Sequence, residues 1–418
     1  MSNLHEVALG KPPHPFLYTV LIVPFGASSG FVAVALAFLA TKNGLTVEQG
    51  AMLVAANLLP NVWKFFWAPI ADKTLTRKRW YVLSVIAVAA SMFVMAVVPL
   101  GPRTLDLMTV LILVSSFGAT FIGFSVESIM AHVTPPAQRG SVSGWFQAGN
   151  LGGNGIGGGI GLYLLNNVPQ PWMAGAIIAA LMVACMIPLP FVPEVKAELS
   201  RDSVGASIKH VAVDLWSVLK SSNGMLCAAL CFLPIGTGAA ASVLAQAEVA
   251  QFWGAGENEV ALVQGFATGV VSMFGCLAGG FICARWLNAR VAYAVFGALM
   301  AISTALVAIA PRTVLIFVGF NMVYAFITGL SYSAFTAFVL DAIGAGHAAT
   351  KYNGFASLSN APIWYTGLLL AWAHTKWGPT GMLATESMMG VAGILLFGVA
   401  LVAMKRLSPR PLVAAAPA

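Results

Sequence analysis

The feature that most constrains this sequence is a series of twelve long apolar runs separated by short polar turns. A helix that crosses the hydrocarbon core of a bilayer needs about 20 predominantly apolar residues. Runs of this kind lie at residues 15–40, 47–70, 80–101, 106–131, 141–165, 172–193, 224–250, 259–284, 290–310, 313–340, 352–374 and 382–404. Backbone polar groups must be paired within lipid, and membrane β-strands are shorter and alternate in polarity. The sequence therefore predicts an all-α membrane protein with twelve transmembrane helices.

The composition also indicates a lipid environment. Hydrophobic residues make up 59% of the chain and charged residues 8%, whereas about 25% of an average soluble domain is charged. So few charges cannot cover the surface of a soluble fold, but lipid tails accept apolar side chains. The net charge of +7 is spread thinly between the apolar runs. The lipid bilayer is therefore the expected partner, and nucleic acid is not.

The distribution of lysine and arginine predicts the orientation. With twelve spans and a cytoplasmic N-terminus, sixteen of these residues fall in the inner connections and tails. Four fall in the outer connections, namely Lys42, Arg103, Arg312 and Lys376. Cytoplasmic loops carry the excess of positive charge, and the polar start of the chain is unlike a signal peptide. We expect a multi-pass protein of the inner (plasma) membrane with both termini in the cytoplasm.

The longest internal polar segment divides the chain into two groups of six spans. We predict an N-terminal half at 1–193, a cytoplasmic linker at 194–222 and a C-terminal half at 223–418. Apolar residues at helical spacing in the linker indicate an amphipathic surface helix, with a flexible linker as the alternative. At an offset of 210 residues, Pro24-Phe25-Gly26 matches Pro234-Ile235-Gly236, and Asn150 matches Asn360. Matches at corresponding spans predict two pseudo-symmetric halves. The protein is expected to be a monomer.

Ionisable residues inside the predicted spans are the first candidates for a functional site. Each costs about 2.5–3.5 kcal/mol on insertion scales, so a functional role is the default interpretation. Four residues are of this kind: Lys64, Glu127, Glu248 and Asp341. Proton coupling needs a carboxyl group that changes between neutral and charged states. Glu127 and Asp341 are the proton-coupling candidates, with Lys64 as a charge partner of Glu127. The alternative is that Lys64 extends to the membrane surface and that Asp341 is interfacial.

Amide and aromatic side chains inside the spans are candidates for contact with a polar solute. A partly aromatic, polar cavity between two halves would suit a sizeable solute, although such groups also bond neighbouring helices. With Lys64, the predicted solute-binding residues are Asn57, Asn61, Gln147, Asn150, Asn154, Gln246, Tyr324, Asn360 and Trp364.

Signatures of other functional classes are missing from the sequence. There is no HExxH pair and no GxxxxGK[ST] phosphate loop, so neither a zinc hydrolase nor an ATP-driven pump is indicated. The five cysteines lie in apolar runs without a CxxC pair, which predicts packing residues and no metal site. No enzyme activity and no cofactor are expected.

One motif carries a resemblance to a known family. The segment Lys64-Phe65-Phe66-Trp67-Ala68-Pro69-Ile70-Ala71-Asp72, followed by Arg77-Lys78-Arg79-Trp80, resembles a signature of the AmpG muropeptide permease and acetyl-CoA transporter family. Glu127, twelve residues before Arg139-Gly140, and the segment Ala349-Thr350-Lys351-Tyr352 are similar to other stretches of that family. The resemblance implies a major facilitator fold and proton-driven solute transport. It also implies a cytoplasmic gate, for which the candidates are Asp72, Arg77, Lys78, Arg79 and Arg139.

These observations predict a secondary active, proton-coupled transporter that imports a medium-sized polar solute. A muropeptide-like sugar–peptide is the first substrate expected from the resemblance, and ferric siderophores or acyl-CoA are alternatives. A membrane sensor or scaffold that binds a ligand without moving it, and a membrane-embedded enzyme, are the other classes considered. Neither a cytoplasmic output domain nor a catalytic spacing favours them.

Overall fold

The computed structural model describes residues 12–45, 47–64, 67, 70–71, 74–194, 213, 216–217, 220–244, 247–343 and 348–407. These residues form helices, turns and bends, without a β-strand among them. The prediction of an all-α protein is confirmed for this part of the chain. The predicted linker helix at 194–222 falls almost entirely outside the described residues.

The helices before residue 194, here called the N-terminal helices, match the first six predicted intervals in position. Their bounds are α1 Phe16–Gly30, α2 Ala37–Lys42, α3 Val47–Val62, α4 Arg77–Val97, α5 Leu105–Val133, α6 Arg139–Gly155, α7 Gly161–Asn167 and α8 Pro171–Ala184. Short π-helical turns at Phe31–Leu36 and Ile156–Ile160 join α1 to α2 and α6 to α7.

The helices after residue 221, here called the C-terminal helices, cover the remaining intervals. Their bounds are α9 Ser222–Phe232, α10 Ala240–Leu244, α11 Ala247–Gln251, α12 Glu257–Leu262, α13 Thr268–Arg285, α14 Ala289–Ile309, α15 Val314–Ile343 and α16 Ala348–Leu407. A π-helical turn at Val263–Ala267 joins α12 to α13. The helix α16 contains a break at Gly378, whose φ of 67° is left-handed, and this break lies between the last two predicted spans.

Length and apolar character single out eight segments of the described residues as able to cross a membrane. The longest, Lys351–Ala403, has 53 residues and includes the break at Gly378. The glycine- and asparagine-rich helix α6 and the interrupted region near α9 are not among the eight. The membrane character of the chain is thus confirmed, and the count of twelve spans stays a prediction.

The predicted continuous helix at 224–250 is wrong in one respect. The backbone leaves the helix between Leu233 and Ala239. Gly236 and Gly238 have φ angles of 58° and 69°, which L side chains rarely adopt. The Tyr293 hydroxyl donates 2.8 Å to the Ile235 carbonyl and so supplies a partner that the helix no longer provides. This break brings polar backbone into the interior of the C-terminal helices.

Glycines let α1 and α6 approach until their backbones touch. A Cβ built at Gly26 would stand 1.9 Å from the Asn150 carbonyl oxygen, and one at Gly30 would stand 1.9 Å from that of Asn154. From the other side, a Cβ at Gly157 would stand 1.9 Å from the Ala27 oxygen. No side chain fits at such distances, so these positions require glycine.

The three π-helical turns lie next to one another. A Cβ at Gly158 would stand 2.9 Å from the Val34 Cβ, and one at Gly159 would stand 2.9 Å from the Phe266 Cβ. Single π-helical turns inside α-helices interrupt the regular ladder and bend the helix. Three long helical segments are therefore distorted at one level, where α1, α6 and α13 meet.

Candidate functional site

A buried pair of ionisable groups lies among the N-terminal helices. Glu127, near the end of α5, is 6% exposed, and Lys64, just beyond α3, is 9% exposed. The two charges interact electrostatically. A buried ion needs an opposite charge and hydrogen bonds to offset its lost hydration. The structure thus places Lys64 and Glu127 close enough to influence each other electrostatically, and a direct contact between them stays a prediction.

The Glu127 carboxylate also contacts the C-terminal helices. The Asn353 side chain on α16 donates from Nδ2 to Oε2 of Glu127 at 2.8 Å, and Asn353 is 1% exposed. A hydrogen bond to an ionised acceptor is about twice as strong as a neutral one. One carboxyl group is therefore hydrogen-bonded to an amide of the C-terminal helices and influenced electrostatically by Lys64 of the N-terminal helices.

A second polar chain crosses between the same two groups of helices. Asn150 donates from Nδ2 to Oε1 of Gln147 at 2.8 Å, both on α6. Gln147 donates from Nε2 to the Thr336 hydroxyl on α15 at 2.7 Å. The Thr336 and Tyr352 hydroxyls lie 3.0 Å apart. Two predicted residues, Gln147 and Asn150, thus meet two residues that the sequence analysis did not select, Thr336 and Tyr352.

The ends of α6 and α15 are joined by an ion pair. Nη1 of Arg139 lies 2.8 Å from Oδ1 of Asp341, and the side chains are 23% and 41% exposed. The sequence analysis assigned Asp341 to proton coupling and Arg139 to a gate. An exposed ion pair at the end of the bundle can hold α6 and α15 together there. Of the two proton-coupling candidates, Asp341 is exposed and Glu127 is buried.

Close backbone contacts continue along α6 and α13. A Cβ at Gly144 would stand 2.8 Å from the Gly280 Cα, and one at Gly155 would stand 2.9 Å from the Gly269 Cα. These two helices belong to the two groups on either side of the linker. The two groups therefore touch along the length of α6, and the Arg139–Asp341 pair adds a link at one end of it.

Two other predicted amides bond within the N-terminal helices. Asn57 is 2% exposed and donates to the Ser29 hydroxyl at 3.2 Å. Its backbone oxygen accepts from the Ser116 hydroxyl at 2.6 Å. Asn61 makes longer contacts, at 3.4 Å, with Ser116 and Thr120. These amides tie α3 to its neighbours, as interhelical amides in lipid often do.

Other predicted solute-binding residues lie away from the buried cluster. Trp364 is 69% exposed, and Leu368 and Trp372 on the same helix face are 57% and 49% exposed. Such a stripe is typical of a lipid-facing surface. Asn154 and Asn360 are half-buried. Gln246 lies outside the described residues, and so does the side chain of Glu248.

The predicted gate residues Arg77, Lys78 and Arg79 are adjacent in the chain but have different surroundings, and their role in gating stays a prediction. Arg77 is 1% exposed and donates from Nε to the Ser128 hydroxyl at 3.0 Å, which joins α4 to α5. Arg79 is exposed, and its backbone N–H is capped by the Thr76 hydroxyl at 3.4 Å. The backbone N–H of Lys78 donates to Glu194 at 3.4 Å. Asp72 lies outside the described residues.

Tyr324, predicted to bind solute, instead contacts a buried carboxyl group that the sequence analysis missed. Its hydroxyl donates to Oε1 of Glu386 on α16 at 2.5 Å, and Glu386 is 5% exposed. An ionisable residue within the predicted span 382–404 satisfies the rule that selected Glu127, so the signal was present. Asn353 was detectable in the same way, as an amide in the span 352–374.

The hydroxyl of Thr336 is the link on which the cross-bundle polar chain depends. Thr336→Val keeps the shape but leaves the Gln147 amide and the Tyr352 hydroxyl without this partner. Leaving a buried polar group unpaired costs about 1–3 kcal/mol. Thermal unfolding in detergent should show a loss of that size. The control is Thr328→Val on the same helix, because that hydroxyl bonds only to the Tyr324 carbonyl of its own helix, at 2.9 Å; an equal loss there would contradict the assignment.

The Arg139–Asp341 pair can be tested by exchanging its charges. An exposed pair contributes about 0–1 kcal/mol to stability, so the expected effect is on opening of this end. Arg139→Asp should increase maleimide labelling of Cys283, which lines the same surface depression, and Asp341→Arg in the same chain should restore slow labelling. The other four cysteines are buried and serve as internal controls. A double variant that labels as fast as the single one would refute the pairing.

Comparison with known proteins agrees with this architecture. The sequence model of the Major Facilitator Superfamily matches residues 18–365. The crystal structure of the human organic anion transporter MFSD10 (TETRAN) is similar, with a TM-score of 0.67 and 16% identity over 93% of this chain and 100% of that chain. A bacterial homologue of the iron transporter ferroportin, in an outward-facing state, has a TM-score of 0.62 and 14% identity over 94% and 98%. No curated protein sequence matched. At these identities the structural similarities establish the fold alone.

Proposed function

Since this chain belongs to the Major Facilitator Superfamily, we propose that it is a proton-coupled secondary transporter that imports a medium-sized polar organic solute. The family match supports a multi-pass membrane transporter of a small molecule, and the proposal includes no enzyme activity. Proton coupling, the direction of transport and the inner-membrane location are parts of the proposal. The AmpG-like branch, expected from the motif at Lys64, stays a prediction.

The proposed architecture is twelve spans in two six-helix halves. The observed helices lie at the predicted intervals, and α16 breaks at Gly378 between the last two of them. The sequence repeat at an offset of 210 residues relates the first half to the second. Transporters built from such repeats place the solute at the interface of the halves and alternate its access by rocking them.

The observation that carries the proposal is the hydrogen bond from Asn353 to Glu127. It joins the two halves at 2.8 Å through a buried carboxylate that also interacts with Lys64. Protonation of a coupling group must change the strength of the contact between the halves. Glu127 meets this condition, because one of its oxygens accepts the interhalf bond.

The proposed mechanism follows from the change in charge. Protonated Glu127 is a weaker acceptor for Asn353 and no longer balances Lys64. The bond between the halves weakens, and the Lys64 ammonium becomes available to an anionic group of the solute. On the other side of the membrane, Glu127 loses the proton and its interaction with Lys64 is restored. This interaction competes with the bound solute for Lys64, and the halves close again. The solute and the proton therefore move in the same direction.

The chemistry of the cluster favours a polar solute that carries a negative charge. Lys64 supplies the cation, and the amides of Gln147, Asn150 and Asn353 supply donors and acceptors. A sugar–peptide with free carboxylates, such as an anhydromuropeptide, fits this chemistry and is the first candidate. Acyl-CoA and ferric siderophores are the alternatives carried by the family resemblance. The description of MFSD10 as an organic anion transporter is compatible with this class.

The first experiment is ligand-dependent thermal unfolding of the purified protein in detergent. A ligand that binds only the folded state adds about 2.7 kcal/mol at a hundred times its Kd. Anhydromuropeptides should produce a saturable shift that Lys64→Gln abolishes, while acetyl-CoA and ferric siderophores should not. A saturable shift of the unfolding midpoint with acetyl-CoA or a ferric siderophore instead would identify that compound class as the substrate. Binding without uptake into proteoliposomes under a pH gradient would favour the sensor or scaffold hypothesis.

A further inference from the structure

A second buried carboxyl group lies among the C-terminal helices and takes no part in the mechanism above. Oε1 of Glu386 accepts from the Tyr324 hydroxyl at 2.5 Å and from the Ala240 backbone N–H at 3.3 Å. Oε2 of the same carboxyl is buried and has no hydrogen-bond partner. A buried acceptor without a partner is costly and rare in native proteins. This oxygen is therefore free to accept a hydrogen bond from a ligand or to coordinate one.

The carboxyl group borders a small cavity at the helix break. The cavity is lined by Pro234, Gly236, Thr237, Gly297, Met300, Ala301, Thr366, Glu386, Met389 and Gly390. Its volume of about 10 Å³ is about that needed for one water molecule or one small ion. Thr366 is 1% exposed, and its hydroxyl is also without a partner. Two residues with an unpaired buried oxygen, one of them a carboxyl group, therefore line the same cavity.

The break in the chain beside this cavity is supported by other side chains. The Tyr293 hydroxyl donates to the Ile235 carbonyl at 2.8 Å, and the Tyr365 hydroxyl donates to that of Phe232 at 2.8 Å. Tyr293 is buried on α14, and the left-handed Gly236 lines the cavity. Irregular backbone inside a membrane protein is tolerated where it is buried or lines a cavity. The break therefore positions polar backbone next to the Glu386 carboxyl.

No basic side chain accompanies this carboxyl group in the described part of the chain. The groups that act on it are the Tyr324 hydroxyl on α15 and the Ala240 N–H at the start of α10. The next ionisable group is the Tyr332 hydroxyl on α15, which influences the Tyr324 hydroxyl electrostatically. The cavity-lining residues on α14 are Gly297, Met300 and Ala301, and those in the break are residues 234, 236 and 237. None of these six residues is ionisable. An isolated carboxylate in such a place is strongly disfavoured, so a positive charge must balance it.

We propose that Glu386, Thr366 and the helix break at 233–239 form a binding site for one monovalent cation. The cation is either a proton on the carboxyl group or a dehydrated Na⁺ held by carboxylate, hydroxyl and backbone oxygens. A single carboxylate balances a single positive charge, and the cavity has room for one small ion. The site shares none of its hydrogen-bond partners with the Lys64–Glu127 cluster. It is defined by binding alone and does not depend on the transported solute or on coupling at Glu127.

The test is the unfolding midpoint of the purified protein as the cation is varied. NaCl is titrated against choline chloride at constant ionic strength and pH, and pH is varied in choline chloride alone. For the wild type, a saturable rise with Na⁺ identifies the metal ion, and a rise on acidification that Na⁺ does not change identifies the proton. Glu386→Gln should lose that response. Asp106→Asn, which removes an exposed carboxylate of α5, should keep it.

Two results would overturn the proposal. One is a Glu386→Gln variant that responds to Na⁺ and pH as the wild type does, and the other is a wild type that responds to neither. If Glu386→Gln does not fold, Thr366→Val answers the question, because it keeps the charge and removes one oxygen of the site. We expect the concentration of the cation at half saturation to rise about tenfold in Thr366→Val and to stay unchanged in Thr375→Val, an exposed position of the same helix. An unchanged value in Thr366→Val would also reject the site.

Discussion

Glu127→Gln is expected to abolish proton-driven accumulation of the solute while leaving exchange of solute across the membrane. Glutamine has the size of glutamate and can still accept from Asn353, but it cannot take up or release a proton. It resembles the protonated state, so Lys64 stays available to the solute. A pH gradient then cannot drive accumulation of the solute, because the side chain at position 127 no longer takes up and releases protons. Accumulation in proteoliposomes should fall to the level without a gradient, and exchange between equal solute concentrations should persist.

The matched control for this substitution lies on the same helix. Asp106→Asn also removes one carboxylate from α5, but Asp106 is exposed in the first turn. We expect this variant to accumulate solute as the wild type does. If Glu127→Gln still accumulated solute with full dependence on the pH gradient, Glu127 would not be the coupling group. A variant that neither accumulates nor exchanges would indicate a structural role, which the unfolding midpoint would register independently.

Gly157→Ala should give the largest loss of stability among the substitutions considered. The added Cβ would stand 1.9 Å from the Ala27 carbonyl oxygen and 2.7 Å from its Cα. Both atoms are backbone, so no side chain can rotate away and α1 must move from the π-helical turn. Overpacking costs about 1–3 kcal/mol and occasionally more, and a clash with backbone belongs at the upper end. The measurement is the thermal unfolding midpoint in detergent.

Two glycines serve as comparisons for Gly157. Gly319 lies in the long helix α15, and a Cβ there would meet nothing within 4 Å. Gly319→Ala should raise stability by up to about 1 kcal/mol, because alanine has the higher helix propensity. Gly144→Ala adds a Cβ 2.8 Å from the Gly280 Cα, across the two proposed halves. Rocking of the halves relieves that contact, so it should favour opening of the Arg139 end at a smaller cost in stability than Gly157→Ala.

The location of the helices was predictable because lipid imposes a simple rule on composition. Long apolar runs and few charges predicted a helical membrane protein, which the family match and the apolar helices confirm, whereas the count of twelve spans stays a prediction. The break at Leu233–Ala239 was not predicted. The sequence did carry a signal for it, because Pro234, Gly236 and Gly238 are residues that interrupt helices. Its partner Tyr293, which supplies a missing backbone hydrogen bond, lies 58 residues further along the chain.

The candidate site was predicted only in part. Lys64, Glu127 and Gln147 were selected because ionisable groups and amides are costly in lipid. Their partners depend on which helix faces cross between the two groups, and hydropathy carries no information about this. Asn353 lies 226 residues from Glu127, and Asp341 lies 202 residues from Arg139. Trp364 was predicted to bind solute but is exposed. Its aromatic character does not tell whether it faces an internal cavity or the outer surface of the bundle.

By itself, the sequence determined the environment of this protein, its helical content and its superfamily, because these follow from composition and from motifs along the chain. The tertiary structure alone decided which charges meet. It placed Asn353 on the Glu127 carboxylate, paired Asp341 with Arg139 and left one buried oxygen of Glu386 without a hydrogen-bond partner. The physical reason is that buried ions and amides are stable only with partners, and in this bundle many partners come from helices far apart in the chain.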